Sequence, residues 1–600
     1  MRLAILPNNK CYSTISSDAD MIAIRWGSQI GDKGFDRNKA VLVDQFCDRD
    51  EAESLNHQAV ADCIDLEMTA RGAFTYKGIS IVDIDIRQLW SKAFVQVYRE
   101  ALNILSCIKQ LNVKVVVAEK GDPWLFLLKK VLPQAGVALE TVDGLGVEDT
   151  RLSQLLREEF PTAFTIDFHP VRGTGWKVRA YTLAVNILSS VVRLAKGKRP
   201  FVMFSLYKPL EPLKQALLSD KKYYPLLHQI NQMSFWSMVF GGVKLFSFDY
   251  NCGPGQKASG IAERYKVFLR EFFKERHFVE TGGLKVSVDG ALLPVIEGTV
   301  PASFGQIIRN IDVLDRLFSS SDIRGYLGFC DSPWEERSLV RMCQKYKVPN
   351  AIVINGVLSN SFYIEAKTAD HVFVYGENQK KDYLKGHPEK AIVAGNPLYE
   401  KAFAKRSRKT VNHPPKKILI GTSDPVPGDI NCQYSSTEVF LKNVMGALGA
   451  LKGKYGFEVS LKLHPGESRG FYERFVKEEG FDVADIINSG DMQEILMGYD
   501  LLIINHSVAV FEASLMGIPV LYHHPARQVM QEPFGGGTSL VSAFDTTELR
   551  AALEKIFSDK AAAFGFTSEK ELAYFTGPLD GTAGSGIKKY LNDLFGGKKR

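Results

Sequence analysis

The sequence predicts an α/β protein built of doubly wound parallel sheets, and three observations predict it. In the second half, short apolar runs alternate with amphipathic stretches under Gly and Pro punctuation, which is the pattern of βαβ units. A less regular version of the same alternation precedes it. Six hundred residues, 45% of them hydrophobic, exceed what a single core accommodates, so at least two such units are expected.

Lys416 to Gly421, Glu458 to Leu463, Asp500 to Ile504 and Ile518 to Tyr522 read as buried strands. The helices expected between them are Ser436 to Leu451, Tyr472 to Glu479, Met492 to Gly498 and Ala509 to Met516. The earlier set of strands is Val113 to Ala118, Phe201 to Leu206, Val243 to Phe248, Gly325 to Phe329, Ala351 to Ile354 and His371 to Tyr375. Glu335 to Tyr346 serves as a crossover helix, and Gln88 to Leu111 is helical in pattern. A basic, Pro-containing stretch after Gly395-Asn396-Pro397 marks a short solvated linker over 396–417. The expected organisation is an N-terminal elaboration over 1–40, a first Rossmann-like domain over 41–395 with an insertion at about 150–300, that linker, and a second Rossmann-like domain over 418–600.

Composition removes several function classes. With 74 basic against 68 acidic residues, the net charge of +6 is too small for a chain devoted to nucleic-acid phosphates. The eight cysteines form no Cys-x-x-Cys pair and no zinc-spaced cluster, so they read as reduced, mostly buried thiols, and no metal site is expected. No run of roughly 20 uninterrupted apolar residues offers a membrane span, and the first residues lack a signal-peptide pattern. The expected location is cytoplasmic.

In open parallel sheets ligands bind beyond the carboxyl ends of the strands, where helix N-termini present free N–H groups to phosphate. Three polar clusters fall there in the second half: Thr422-Ser423 after the first strand, His464-Pro465 after the second, and Asn505-His506-Ser507 after the third. Their convergence on one sheet edge makes them the expected donor-nucleotide site. Pro465 biases His464 toward an extended backbone. That histidine could offset phosphate charge, or cap the next helix and pair with Glu467. Lys462, two residues earlier, reads as solvated. Ser507 reads as an N-cap. Glu512, a carboxylate within an apolar helix, needs a partner, either ribose hydroxyls or a structural ion pair.

These residues resemble the C-terminal half of a GT-B glycosyltransferase, over roughly residues 320 to 600. Phe511-Glu512-Ala513-x-x-x-Gly517-x-Pro519-Val520 is similar to the donor-nucleotide segment of that superfamily, whose glutamate contacts ribose. Gly395-Asn396-Pro397, preceded by Asp370 to Glu377, resembles the interdomain segment of surface-polysaccharide transferases and UDP-N-acetylglucosamine 2-epimerases. The His-Pro followed by a serine-bearing loop resembles bacterial sialyltransferases, polysialyltransferases and capsule Kdo transferases, which use CMP-linked acidic sugars, and also teichoic-acid glycerophosphotransferases, which use CDP-glycerol. The loop here carries His506-Ser507 in place of paired serines.

The resemblance implies a GT-B fold of two facing Rossmann-like domains, with an N-terminal elaboration and a helical insertion. It further implies metal-independent sugar transfer to a glycan or glycolipid acceptor, with no cofactor besides the nucleotide-sugar donor as substrate. Carried over, His464 contacts the donor phosphate and Ser507 assists. The sialyltransferase general base belongs to an acidic-acidic-glycine motif. Its nearest likeness is Val142-Asp143-Gly144, so Asp143 is either that base or a turn residue, with Glu119 and Asp331 as alternatives.

Between Val171 and Leu210 stand Arg172, Lys177, Arg179, Arg193, Lys196, Lys198, Arg199 and Lys208, with no acidic residue. Tyr181 to Leu194 is apolar and helical in pattern. The segment reads either as a basic amphipathic helix on the inner membrane face, with Trp176 and Tyr181 at the interface, or as a core-facing helix with a solvated basic end.

Overall fold

The structure is a computed structural model. It describes residues 1–6, 19–24, 39–120, 122, 124–142, 176–205, 210–228, 233–248, 256–274, 276–354, 364–422, 434–464, 467, 469–505, 507–525, 538–559, 566 and 568–596. Asp143, Ser423, Pro465 and His506 lie outside the described residues, as do Arg172 and Lys208, and of Trp176 and Lys177 only the backbone is described.

Three parallel sheets organise the chain. The first holds β1 (Arg2–Leu6), β2 (Met21–Ile24) and β3 (Ala40–Leu42). A small hairpin, β4 (Thr75–Tyr76) and β5 (Ile79–Ser80), intervenes before β6 (Val115–Glu119) and β7 (Ala138–Val142) complete that sheet in the order β3-β2-β1-β6-β7. The middle sheet begins with β8 (Phe201–Phe204), β9 (Tyr224–His228) and β10 (Lys244–Phe246). After a second hairpin, β11 (Phe278–Thr281) with β12 (Leu284–Ser287), it gains β13 (Ile323–Gly328), β14 (Asn350–Val353), β15 (His371–Val374) and β16 (Ala391–Val393). Its order is β10-β9-β8-β13-β14-β15-β16. The third holds β17 (Lys417–Gly421), β18 (Glu458–Lys462), β19 (Asp485–Ile487), β20 (Leu501–Ile504), β21 (Val520–His523) and β22 (Val541–Ala543), in the order β19-β18-β17-β20-β21-β22.

Every pairing within these three sheets is parallel, so the doubly wound α/β class stands on the registers themselves. In each sheet the first strand lies beside the fourth-numbered or later return strand, and the order reverses there. The crevices at β1/β6, β8/β13 and β17/β20 are therefore topological switch points, where ligands bind in such sheets.

Three placements differ from the sequence reading. The first 40 residues, read as an elaboration, supply β1, β2 and the start of β3, and β1 is central in its sheet. Val115–Glu119 pairs with β1 and β7, not with the strands at 201–375. Within the stretch read as an insertion, β8, β9 and β10 form one wing of the middle sheet. The physical reason is shared: strands of three to five residues buried on both faces carry too little periodicity to declare which sheet they join.

The segment read as a solvated linker is partly helical. Asn396 caps helix Pro397–Lys405 by accepting the Leu398 N–H at 2.9 Å, and Tyr399 and Ala402 on it are buried. Arg406–Arg408 is the solvated part. The last helix, Ala583–Gly596, returns to the middle sheet, where Ile587, Leu591 and Phe595 join Val202, Phe204 and Leu327 in one core. Gly376 and Gly577 make the approach to that crossing possible. A Cβ on Gly376 would stand 2.2 Å from the Tyr574 carbonyl oxygen, and one on Gly577 2.2 Å from that of Tyr375. Gly577 also has φ +82°, open to glycine but strained for other residues.

Among the described residues, helix Asp289–Ser320 alone is long and apolar enough to cross a membrane. Its Ile296, Val300, Phe304, Ile307 and Ile311 are buried in the core shared by the first and middle sheets. A buried ion cluster ties the same regions: Asp83 accepts from Arg337 Nη2 at 2.8 Å and from Arg341 Nε at 2.6 Å. The two guanidiniums hold the Asp83 carboxyl well below the usual carboxylate range despite its burial.

Candidate functional site

The third sheet builds its site where β17 and β18 end. Thr422 follows β17 and is buried, and its N–H donates to the Lys462 carbonyl at 3.0 Å. Beside it lies Glu467, expected from the sequence only as a partner of His464. Glu467 is buried, and it accepts hydrogen bonds from the hydroxyls of Thr422 and Tyr472 and, at 2.7 Å, from the backbone N–H of His464. One carboxylate thus joins the ends of two adjacent strands to helix Arg469–Glu479, on which Tyr472 sits. Burial raises the Glu467 pKa, and the hydroxyl and amide donors oppose that rise.

The expected pairing of His464 with Glu467 is present through the backbone amide. The ring stands at the exposed rim. Surrounding protein, and next the Lys462 ammonium, hold its pKa below the usual histidine value. Lys462 itself corrects the sequence reading. It is buried, its ammonium donates to the Leu463 carbonyl at 2.5 Å, and burial lowers its pKa. A strand inside a doubly wound sheet is covered on both faces, so alternation does not bring a lysine to solvent.

Asn505, buried at the end of β20, faces Thr422 across the β17/β20 switch point by strand register, Gly421 pairing with Ile504. The Ser507 hydroxyl accepts the Ala509 N–H at 3.3 Å, the bond of a capping serine, one residue before the Val508 that opens helix Ala509–Leu515. The structure therefore brings Thr422 and His464 into contact and sets Asn505 and Ser507 on the neighbouring strand end.

Glu512 belongs to a separate network. It accepts from Gln493 Nε2 at 3.1 Å, and Gln493 also donates to the Leu398 carbonyl at 2.9 Å, joining the helix of Glu512 to the linker helix. Burial raises the Glu512 pKa. The protein partner is thus a neutral amide and not the ion pair that was one of the two expectations. A glutamine nineteen residues upstream gives no signal until the fold brings helix Met492–Leu496 alongside.

Of the alternative bases, Glu119 is buried at the end of β6, beside the first sheet's switch point. Asp331 is excluded as a base by its bonds. It is fully buried and accepts backbone N–H groups from Ala366 (2.6 Å), Thr368 (2.6 Å) and Ala369 (2.9 Å), so it organises a loop.

The middle sheet holds a second glutamate site. Ser205, just after β8, donates to Glu336 Oε1 at 2.8 Å, and the Tyr326 hydroxyl donates to Glu336 Oε2. Burial pushes the Glu336 pKa up to about 8. Gly328 makes room for the arrangement, because a Cβ there would stand 2.3 Å from the Tyr326 hydroxyl. Glu336 was legible only as an acidic residue in the first turn of a helix. Among the described residues no group of His, Cys, Asp and Glu could hold a metal ion.

Comparison with known proteins adds neighbours in structure alone. No protein-family model matches the chain, and no curated protein matches it. Of the solved structures it is similar to, that of Staphylococcus aureus MnaA with UDP shares 16% identity at a TM-score of 0.38, covering 67% of this chain and 99% of that one. The UDP-GlcNAc 2-epimerase of Methanocaldococcus jannaschii shares 12% at 0.39, covering 66% and 100%. The wall teichoic acid polymerase TagF shares 9% at 0.36, covering 70% and 96%. Such scores leave the reading of the site to the chain's own geometry.

Proposed function

We propose that the chain is a GT-B-type transferase that binds a nucleotide-activated sugar at the carboxyl edge of its third sheet and passes the sugar to a cell-surface glycan or glycolipid acceptor. The observation that carries this reading is the Thr422–His464–Glu467 cluster at the β17/β18 ends, one strand from the switch point. Glu467 consumes the inward-facing donors and leaves the His464 ring at the rim, where a phosphate would meet it. A departing nucleotide phosphate would gain from that ring, which takes up a proton as negative charge develops beside it.

A CMP-linked acidic sugar is the preferred donor, on the resemblance of His464-Pro465. Asp143 is the proposed base for the acceptor hydroxyl, with Glu119 as the alternative. Glu512 would take ribose by exchanging its Gln493 bond.

Thermal-shift titrations with CMP, CDP, UDP and GDP test the reading. At least one should stabilise the chain, and His464→Ala should weaken that response about tenfold or more, the scale of one charge-assisted hydrogen bond. Stabilisation by UDP without CMP would remove the cytidine preference, and stabilisation by none would remove the donor site. Product formed from UDP-N-acetylglucosamine without any acceptor would replace transfer by epimerisation.

A further inference from the structure

Helix Trp176–Lys196 presents apolar side chains on its outward face as well as its inward one. Inward, Val185 is fully buried in the middle-sheet core, Asn186 exchanges hydrogen bonds with the Leu245 backbone at 2.8 and 3.0 Å, Ser189 is buried, and Arg193 donates to the Gly242 and Val243 carbonyls. The opposite face carries Leu183, Ile187, Val191 and Leu194, which at helical spacing fall within a single stripe. All four are exposed, from 55% at Ile187 to 79% at Leu194. Helix Phe235–Gly241 packs beside it through the Tyr181–Phe235 ring contact. That second helix extends the stripe with Trp236 and Phe240, stacked at 5.7 Å and about three-fifths exposed. Six large apolar side chains on two adjacent helices amount to a surface that water does not favour.

The charges around the stripe select its occupant. Arg179, Lys196 and Lys198 are exposed, and the sequence holds no acidic residue over 171–210 or over 229–248. We infer that helices Trp176–Lys196 and Phe235–Gly241 together form the docking face of this protein for an anionic lipid bilayer, with the apolar stripe entering the acyl boundary and the cations lying at the headgroups. A second copy of the chain is disfavoured as occupant, because a two-fold contact would set these cations against their own copies. The inference is independent of the donor-site reading.

Co-sedimentation of the full chain with vesicles tests it. The chain should bind equimolar phosphatidylcholine–phosphatidylglycerol vesicles and release as salt rises, and it should bind phosphatidylcholine alone at least about tenfold more weakly. Arg179→Glu with Lys198→Glu should lower partitioning by more than about tenfold, at about fivefold per cation removed. Ile187→Gln with Val191→Gln should abolish binding with the melting temperature unchanged, since both side chains are already in water. Brominated lipid should quench tryptophan fluorescence in the wild type, and Trp176→Phe with Trp236→Phe should remove that quenching, a signal that misfolding does not imitate. Failure to sediment with the anionic vesicles, or quenching that the double variant leaves intact, would overturn the proposal. So would a dimer in ultracentrifugation that Ile187→Glu dissociates while vesicles bind neither form.

Discussion

The third and middle sheets carry the same device at their strand ends and tune it differently. In each, a glutamate accepts from a hydroxyl one residue past the sheet's first strand, Thr422 after β17 or Ser205 after β8, and from a tyrosine, Tyr472 or Tyr326. Glu467 receives in addition the His464 N–H and has the Lys462 ammonium nearby, and both oppose the rise that burial gives its pKa. Glu336 has the Ser205 hydroxyl as the main counterweight to burial, and its carboxyl is pushed to about 8. A backbone amide cannot be withdrawn by a rotamer change and always points its hydrogen outward, so it favours the carboxylate form in a way that a rotatable hydroxyl does not. The third sheet thus ties a carboxyl to a backbone amide as well as to hydroxyls at its strand ends, whereas the middle sheet keeps a neutral acid at physiological pH.

The largest break in this comparison is Glu467→Ala. It strips three donors of their acceptor inside the protein and should cost about 3 kcal/mol or more, with loss of nucleotide-induced stabilisation. Denaturant melts with and without nucleotide would measure both effects. A variant as stable as wild type would mean that water or another acceptor replaces the carboxylate.

Next is Glu336→Gln. The folded carboxyl keeps its proton up to about pH 8, whereas an ordinary glutamate releases it near 4.5, so between those values the folded state binds more protons. Stability is then fullest below the lower value and falls as pH rises toward 8. Because Glu336 retains some exposure, the fall should be about 2 kcal/mol. Glutamine should flatten it, making the variant relatively more stable at pH 9 than at pH 5. Parallel melts across that range decide the sign.

Gly328→Ala should cost about 1–2 kcal/mol by pushing the Tyr326 hydroxyl from Glu336. Tyr326→Phe in the same background should recover only part of that loss, because the ring atoms Cζ and Cε1, at 2.7 and 3.0 Å from the added Cβ, remain. Full recovery in the melts would place the clash at the hydroxyl alone.

The smallest effect is the pH dependence of donor binding. His464 is held below its usual pKa in the free chain, and a phosphate beside it would raise that value. Nucleotide affinity should therefore strengthen as pH falls through the histidine range, by up to about tenfold, and His464→Gln should make it pH-independent. Titration calorimetry in buffers of differing ionisation enthalpy would count the proton taken up.

How much of this was legible varied with element length and with which partners were local. β17, β18, β20 and β21 are apolar runs bounded by Gly, Pro or polar residues, and their sequence expectations agree with the structure to within about two residues. β9 is Tyr-Pro-Leu-Leu-His, and its Pro225 argues locally against a strand inside a sheet. β16, β19 and β22 have three residues each, too few for a period. Thr422, His464 and Asn505 were found because they follow recognisable strands. Tyr472, Gln493, Ser205 and Tyr326 were not, because each earns its role from a partner on another element.

The sequence by itself determined the parallel α/β class, the strands of the third sheet, and the convergence of Thr422, His464 and Asn505 on one edge. Those follow from local apolar runs and from the rule that polar residues gather where parallel strands end. Tertiary structure alone decided that Arg2–Leu6 is the central strand of the first sheet, that the Glu467 carboxylate gathers donors from two strand ends and a helix, and that Glu512 bonds Gln493. It also decided that the basic helix turns its apolar stripe outward. Register and facing are set by contacts between residues far apart in the chain, and no local pattern carries that information.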